Sequence, residues 1–148
     1  MRVATGEDRQ DGFALVNGRV LTDDGFRDGL AILVADGAIH AIVASDDARV
    51  QAARRVDLQG HTLLPGFIDL QVNGGGGVLL NNTPTVDGIR MIAQAHRRFG
   101  TTGLLPTLIS DDVSAMRKAI DATRDAIAQQ VPGVIGIHLE GPYIAPAR

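Results

Sequence analysis

Cysteine is absent from this sequence, and with it go disulfide frameworks, thiolate metal sites and cysteine nucleophiles. Aromatic residues are scarce, four Phe and one Tyr with no Trp, so no platform for stacking bases is visible. Fourteen Lys and Arg against seventeen Asp and Glu leave a net charge of -3, so no basic excess exists for binding a phosphate backbone. A nucleic-acid partner is therefore not expected. Nowhere do about 18 apolar residues run together, and the opening stretch MRVATGEDRQDG lacks the apolar core of a secretory leader. No membrane partner is expected, and the expected location is the cytoplasm.

What is present divides at Pro65-Gly66. Across 13–58, short β segments (FALV, RVLT, LAILVA, AIHAIVA) alternate with Asn17-Gly18, Asp24-Gly25 and Asp36-Gly37, pairs that supply the positive φ of tight hairpins. This predicts a small antiparallel β region, with too few strands to close a core. The charged stretch at 45–55 reads as solvated. After Pro65 the rhythm becomes strand, helix, strand, helix, strand. FIDLQVN is the first strand, and a helix is predicted over 85–99, with Ile89, Ile92, Ala93 and His96 on one face and Gly100 as its left-handed stop. TTGLLPTLIS is the second strand. Ser110, Asp111 and Asp112 offer N-cap oxygens to a helix with Val113, Met116, Ile120, Thr123 and Ile127 on one side. VIGIHLE is the third. Near-continuous apolar strands alternating with helices imply a parallel sheet, buried on both faces.

The polar residues on these strands need a reason. Side chains alternate along a strand, so Asp69, Gln71 and Asn73 share one face of FIDLQVN, as His138 and Glu140 share one face of VIGIHLE. Unpaired on a buried face, each would cost on the order of 1–3 kcal/mol. They must be hydrogen-bonded, coordinate something or line a cavity. Asp69 lies deepest and reads as structural. For His138 a structural and a functional role both stay open. Glu140, last on its strand before the chain-turning Gly141-Pro142, suits a divalent metal, whereas the amides of Gln71 and Asn73 suit hydrogen bonds to water or substrate. The glycines at 74–77 match neither G-x-x-x-x-G-K-[ST] nor G-x-G-x-x-G, so they read as a place where backbone passes close to a ligand or another loop. His40, His61 and His96 read as structural.

LLPGFIDLQVNGGGGVLLNN, GTTGLLPTLIS and GIHLEGPYIAPAR, in this order, closely resemble the N-acetylglucosamine-6-phosphate deacetylases of the amidohydrolase superfamily, from about residue 13 onward. The resemblance implies an incomplete (β/α)8 TIM barrel: residues 1–62 forming part of a β-sandwich domain and 63–148 the first three barrel strands. It implies hydrolysis of N-acetylglucosamine 6-phosphate to glucosamine 6-phosphate and acetate. One divalent ion, zinc, would be held with Glu140 as a ligand. Gln71 and Asn73 would stand where two-metal relatives place His-x-His, and Gln71, Asn73 and His138 would bind substrate. A homo-oligomer is implied at full length. The family's two histidine ligands and its catalytic aspartate come from later strands, so no catalytic residue is assigned here. The expectation is the N-terminal part of a longer enzyme, inactive alone. The alternatives are a non-catalytic fragment that partners a complementary chain, and another amidohydrolase such as a related amino-sugar-phosphate deacetylase; binuclear cyclic amidases would want histidines at 71 and 73.

Overall fold

A computed structural model describes residues 12–141, which fall into two compact units, one ending at Pro65 and the next starting at Gly66. The polar opening stretch and Pro142 of the expected strand-ending turn lie outside the described residues.

The first unit contains β1 (Phe13–Val16), β2 (Arg19–Thr22), β3 (Gly25–Arg27), β4 (Leu30–Ala35), β5 (Ala38–Ala44), α1 (Ala48–Ala52), β6 (Arg54–Asp57) and β7 (Thr62–Leu63). Two sheets form, ordered β5-β4-β1-β6 and β3-β2-β7. The hairpin signals act as expected at two places. Asp36 and Gly37, with φ of 52° and 72°, turn β4 into β5, and Gly25, at φ 100°, follows the turn from β2 to β3. Asn17-Gly18 instead carries the chain from one sheet to the other, because β1 and β2 pair with different partners.

Two expectations for this unit are corrected. The sheets are mixed: β1 pairs parallel with β6, and β2 parallel with β7. Nor is 45–55 only a solvated stretch. Asp47 caps α1 by accepting from the Arg49 N–H at 2.9 Å, and the single buried residue of that helix, Val50, packs beside Ala14 and Ala31. One well-placed valine outweighs a charged neighbourhood, since its burial is favourable while the flanking charges stay in water.

The second unit contains β8 (Phe67–Val72), β9 (Gly74–Gly75), β10 (Val78–Leu79), α2 (Val86–Arg97), β11 (Thr101–Leu108), α3 (Val113–Ala128) and β12 (His138–Leu139). The three longer-range strands make a parallel sheet, β12-β11-β8, with β11 central. Thr85 caps α2 and Asp112 caps α3, each side chain accepting an N–H three residues on. Gly100, at φ 93°, stops the first of these helices. Ile89, Ile92 and Ala93 pack with Val72, Leu80, Leu104, Leu108, Met116, Ala119 and Ala126 in the core.

Here too the structure departs from expectation. The buried side of α3 is Met116, Ala119, Ala122, Thr123 and Ala126; Val113, Ile120 and Ile127 are exposed. Small residues let the helix approach the sheet closely, so the alanines, rather than the larger branched residues, face inward. The first strand is not buried on both faces either. It is an edge strand, and Ile68 and Leu70 are each 63% exposed. The third strand is shorter than VIGIHLE: Val134 bridges Leu104, the ladder lapses over 135–137, and pairing resumes only at His138 and Leu139.

Candidate functional site

Parallel strands deliver their last residues to the same end of a sheet, and three of the polar side chains meet there. The Gln71 Nε2 donates to Glu140 Oε1 at 2.8 Å, and the Asn73 Nδ2 donates to the same oxygen at 2.9 Å. Alternation puts these two amides on one face, with Val72 between them turned into the core at 2% exposure. Glu140 is set by its own backbone, whose N–H donates to the Leu108 carbonyl at 3.1 Å across the central strand. The Asn73 and Gln71 amides hold the Glu140 carboxyl below the usual carboxylate range, the Asn73 bond being the larger cause; His138 nearby acts in the same direction, against partial desolvation. Glu140 is thus an ionised carboxylate at neutral pH, oriented by two neutral donors.

His138 lies two residues before Glu140, paired in register with Thr107. Its Nδ1 is buried and has no hydrogen-bond partner among the described residues. Asp69 does not join the cluster. Its Oδ1 accepts from the backbone N–H of Gln71 at 3.1 Å. His61 and His96 each meet a backbone carbonyl, of Leu58 and of Gly74, at 2.9 Å, and His40 is exposed on β5.

The glycine hairpin lies against α2 rather than another loop, with the His96 ring nitrogen at 2.9 Å from the Gly74 carbonyl. Gly76 and Gly77, with φ of 61° and 81°, turn β9 into β10, the double positive φ of a type I′ hairpin. A Cβ on Gly74 would sit 2.2 Å from the Val78 carbonyl oxygen, and one on Gly75 would sit 2.9 Å from the His96 Nε2. They are required by their own hairpin and by its seat on α2. Past it, Asn81 clamps the end of β11: its Nδ2 donates to the Ile109 carbonyl and to Asp111, while its Oδ1 accepts the Ile109 N–H. Neither Asn81 nor Thr107 is singled out by the sequence, where Thr107 is one polar side chain between apolar ones and Asn81 one of a polar run after Leu80.

The donor set suits one corner of a divalent-metal site. A hydrogen-bonded, ionised carboxylate at a strand end is a suitable oxygen ligand. The two amides present their N–H groups to it, the orientation of supporting rather than ligating side chains. Among the described residues no group of three or more His, Asp or Glu lies together, so a complete ligand set is not assembled by them. No helix of the described residues is long and apolar enough to cross a membrane.

No protein-family model matches the chain. It is 47% identical over 131 residues to the N-acetylgalactosamine-6-phosphate deacetylase of Shewanella sp. (strain ANA-3), across 88% of this chain and 33% of that protein. It is 31% identical over 134 residues to the N-acetylglucosamine-6-phosphate deacetylase of Haemophilus influenzae, across 90% of this chain and 35% of that one. The crystal structure of N-acetylglucosamine-6-phosphate deacetylase from Pasteurella multocida superposes with a TM-score of 0.86 at 34% identity, over 92% of this chain and 36% of that one. The chain therefore spans about a third of the length of the relatives it matches.

Proposed function

This chain is a relative of the N-acetylglucosamine- and N-acetylgalactosamine-6-phosphate deacetylases, matching their N-terminal portion, and from that premise we propose that it contributes one wall of a metal-dependent deacetylase site. The reaction is hydrolysis of the acetamide of N-acetylglucosamine 6-phosphate, water adding to the carbonyl and the C–N bond breaking to give acetate and glucosamine 6-phosphate. In this reading residues 63–148 are the first three strands of a (β/α)8 barrel, whose sites form at the C-terminal strand ends, and residues 1–62 are part of a β-sandwich. The protein is cytoplasmic and, at full length, a homo-oligomer.

The observation that carries the reading is the convergence of Gln71, Asn73 and Glu140 at the C-terminal end of a parallel sheet. Glu140 would be one ligand of a single divalent ion, which the family resemblance makes zinc. Such an ion, when bound, supplies polarisation of the acetamide carbonyl and a more acidic water. Gln71 and Asn73 do two things. Their N–H groups keep the Glu140 carboxylate ionised and fixed in direction, and their amides line the face the sugar would meet. His138, with its buried Nδ1, supports the same wall and contacts substrate.

Because 47% identity is to a galactosamine-type enzyme, the galacto epimer is a second reading of the substrate. The test is acetate release by the full-length product of the gene from both hexosamine 6-phosphates. Turnover of either with divalent metal present is the expected result, and the ratio of kcat/KM values decides the epimer; no release from either would overturn the reading. In the same protein, Glu140→Gln should lower metal affinity by at least about a hundredfold, since even outer-shell losses cost roughly 10–100-fold. Metal content equal to that of the parent would remove Glu140 from the ligand set.

A further inference from the structure

The hydroxyl of Thr107 accepts the backbone N–H of Val72 at 2.8 Å, in a buried position, and itself donates to the Leu105 carbonyl at 3.0 Å. Thr107 is fully buried, one of two buried polar side chains among the described residues, the other being Thr123. Its place in the sheet is unusual. The β8–β11 register slips between Leu104 and Pro106, and Pro106 has no N–H to give the ladder, so at this point a backbone donor of β8 is taken by a side chain of β11. On the other side of the same strand, Thr107 is paired with His138.

Val72 is the residue between Gln71 and Asn73. The geometry points to Thr107 as the positioning residue of the site: its hydroxyl pins Val72, and so sets where the two flanking amides meet Glu140. Both ends of the Thr107 hydroxyl are occupied, so its direction is fixed, and the Val72 side chain is locked in the core on the opposite face. Two anchors on one residue leave its neighbours little freedom. The dependent bonds, at 2.8 and 2.9 Å, lie within a few tenths of an ångström of optimum, and a displacement of roughly 1 Å would take both past hydrogen-bonding range.

The functional consequence rests on the reading of Glu140 as a metal ligand, but the placement of the cluster can be observed without metal or substrate. In the ¹⁵N-labelled full chain, Thr107→Val, which keeps shape and removes the hydroxyl, should shift the side-chain NH₂ resonances of both Gln71 and Asn73 and speed exchange of the Val72 amide proton. Thr107→Ser, which keeps the hydroxyl, should retain the parent resonances and so rescue the cluster. Thr123→Val, which removes the other buried hydroxyl from the same unit, should leave the two NH₂ groups unmoved. Unshifted Gln71 and Asn73 resonances in a folded Thr107→Val protein would overturn the assignment. If that variant does not fold, Thr107→Ser decides: displaced resonances there overturn it and parent-like ones support it. Parent-like deacetylase activity in a variant whose Gln71 and Asn73 groups are displaced would instead count against the function proposed for the site.

Discussion

At the scale of the residue, the site is an arrangement of two weak donors around one charge. Neither Gln71 nor Asn73 is ionisable, yet together they change what Glu140 is: an exposed carboxyl would titrate in its ordinary range, whereas the amides stabilise its anion. The sign follows directly. Removing a donor to the charged form destabilises that form, so the carboxyl pKa rises. Asn73→Leu should therefore move the Glu140 titration, followed by the ¹³C shift of its carboxyl carbon, upward toward the ordinary value, and by more than Gln71→Leu, since the Asn73 bond is the larger cause. Equal or downward movement would show that the two amides do not hold the charge in this way. The sequence carried the alternation that sets these amides on one face, and the strand-end place of Glu140. It carried no sign of the Thr107 hydroxyl, because a threonine in an apolar strand reads the same whether it is idle or holds a backbone donor 35 residues away.

At the scale of the element, local chemistry was the more legible part. The cap at Asp112, one of three candidates, and the stop at Gly100 could be read from residue type alone, because they depend on backbone groups within a turn. The hairpin after β8 shows what is less legible. Four glycines announce a backbone constraint, but which one is decided by contacts on either side. Gly74→Ala would drive a Cβ into backbone, 2.2 Å from the Val78 oxygen, and should cost on the order of 1–3 kcal/mol as overpacking does. Gly77→Ala meets nothing within 4 Å and bears only the penalty of φ 81°, about 1–2 kcal/mol. Chemical denaturation of the two variants should rank Gly74→Ala the less stable, and only that variant should disturb the hairpin's seat on α2. The inward face of α3 depends on the same kind of contact: the helix has two apolar stripes, and only the sheet beneath it selects the one richest in alanine.

At the scale of the whole molecule, four carboxyls are held below their ordinary values among the described residues. Asp47 is lowered to about 2 by its bonds to Arg49; Asp57 by the Gln59 N–H and the Asn17 amide; Asp111 by the Asn81 amide and the Asp112 N–H; Glu140 as above. Each favours the folded state while ionised, so its contribution is complete above the ordinary values of 3.8 to 4.5 and is lost as pH falls through the lowered ones. Far-ultraviolet circular dichroism during urea unfolding should therefore show stability falling between about pH 4.5 and pH 2, as linkage to depressed carboxyl pKa values requires. Stability that rose over that interval would contradict all four assignments together. By itself the sequence determined the strand–helix rhythm and its onset after Pro65, the cap of α3 and which strand positions are polar, because propensity, capping and alternation act within a few residues. Only the tertiary structure decided which strands of the first unit pair in parallel, which face of α3 is buried, that the glycines serve their own hairpin, and that amides 69 and 67 residues from Glu140 meet at one of its oxygens. Those outcomes depend on register and packing between distant segments, and no single segment contains the residues that settle them.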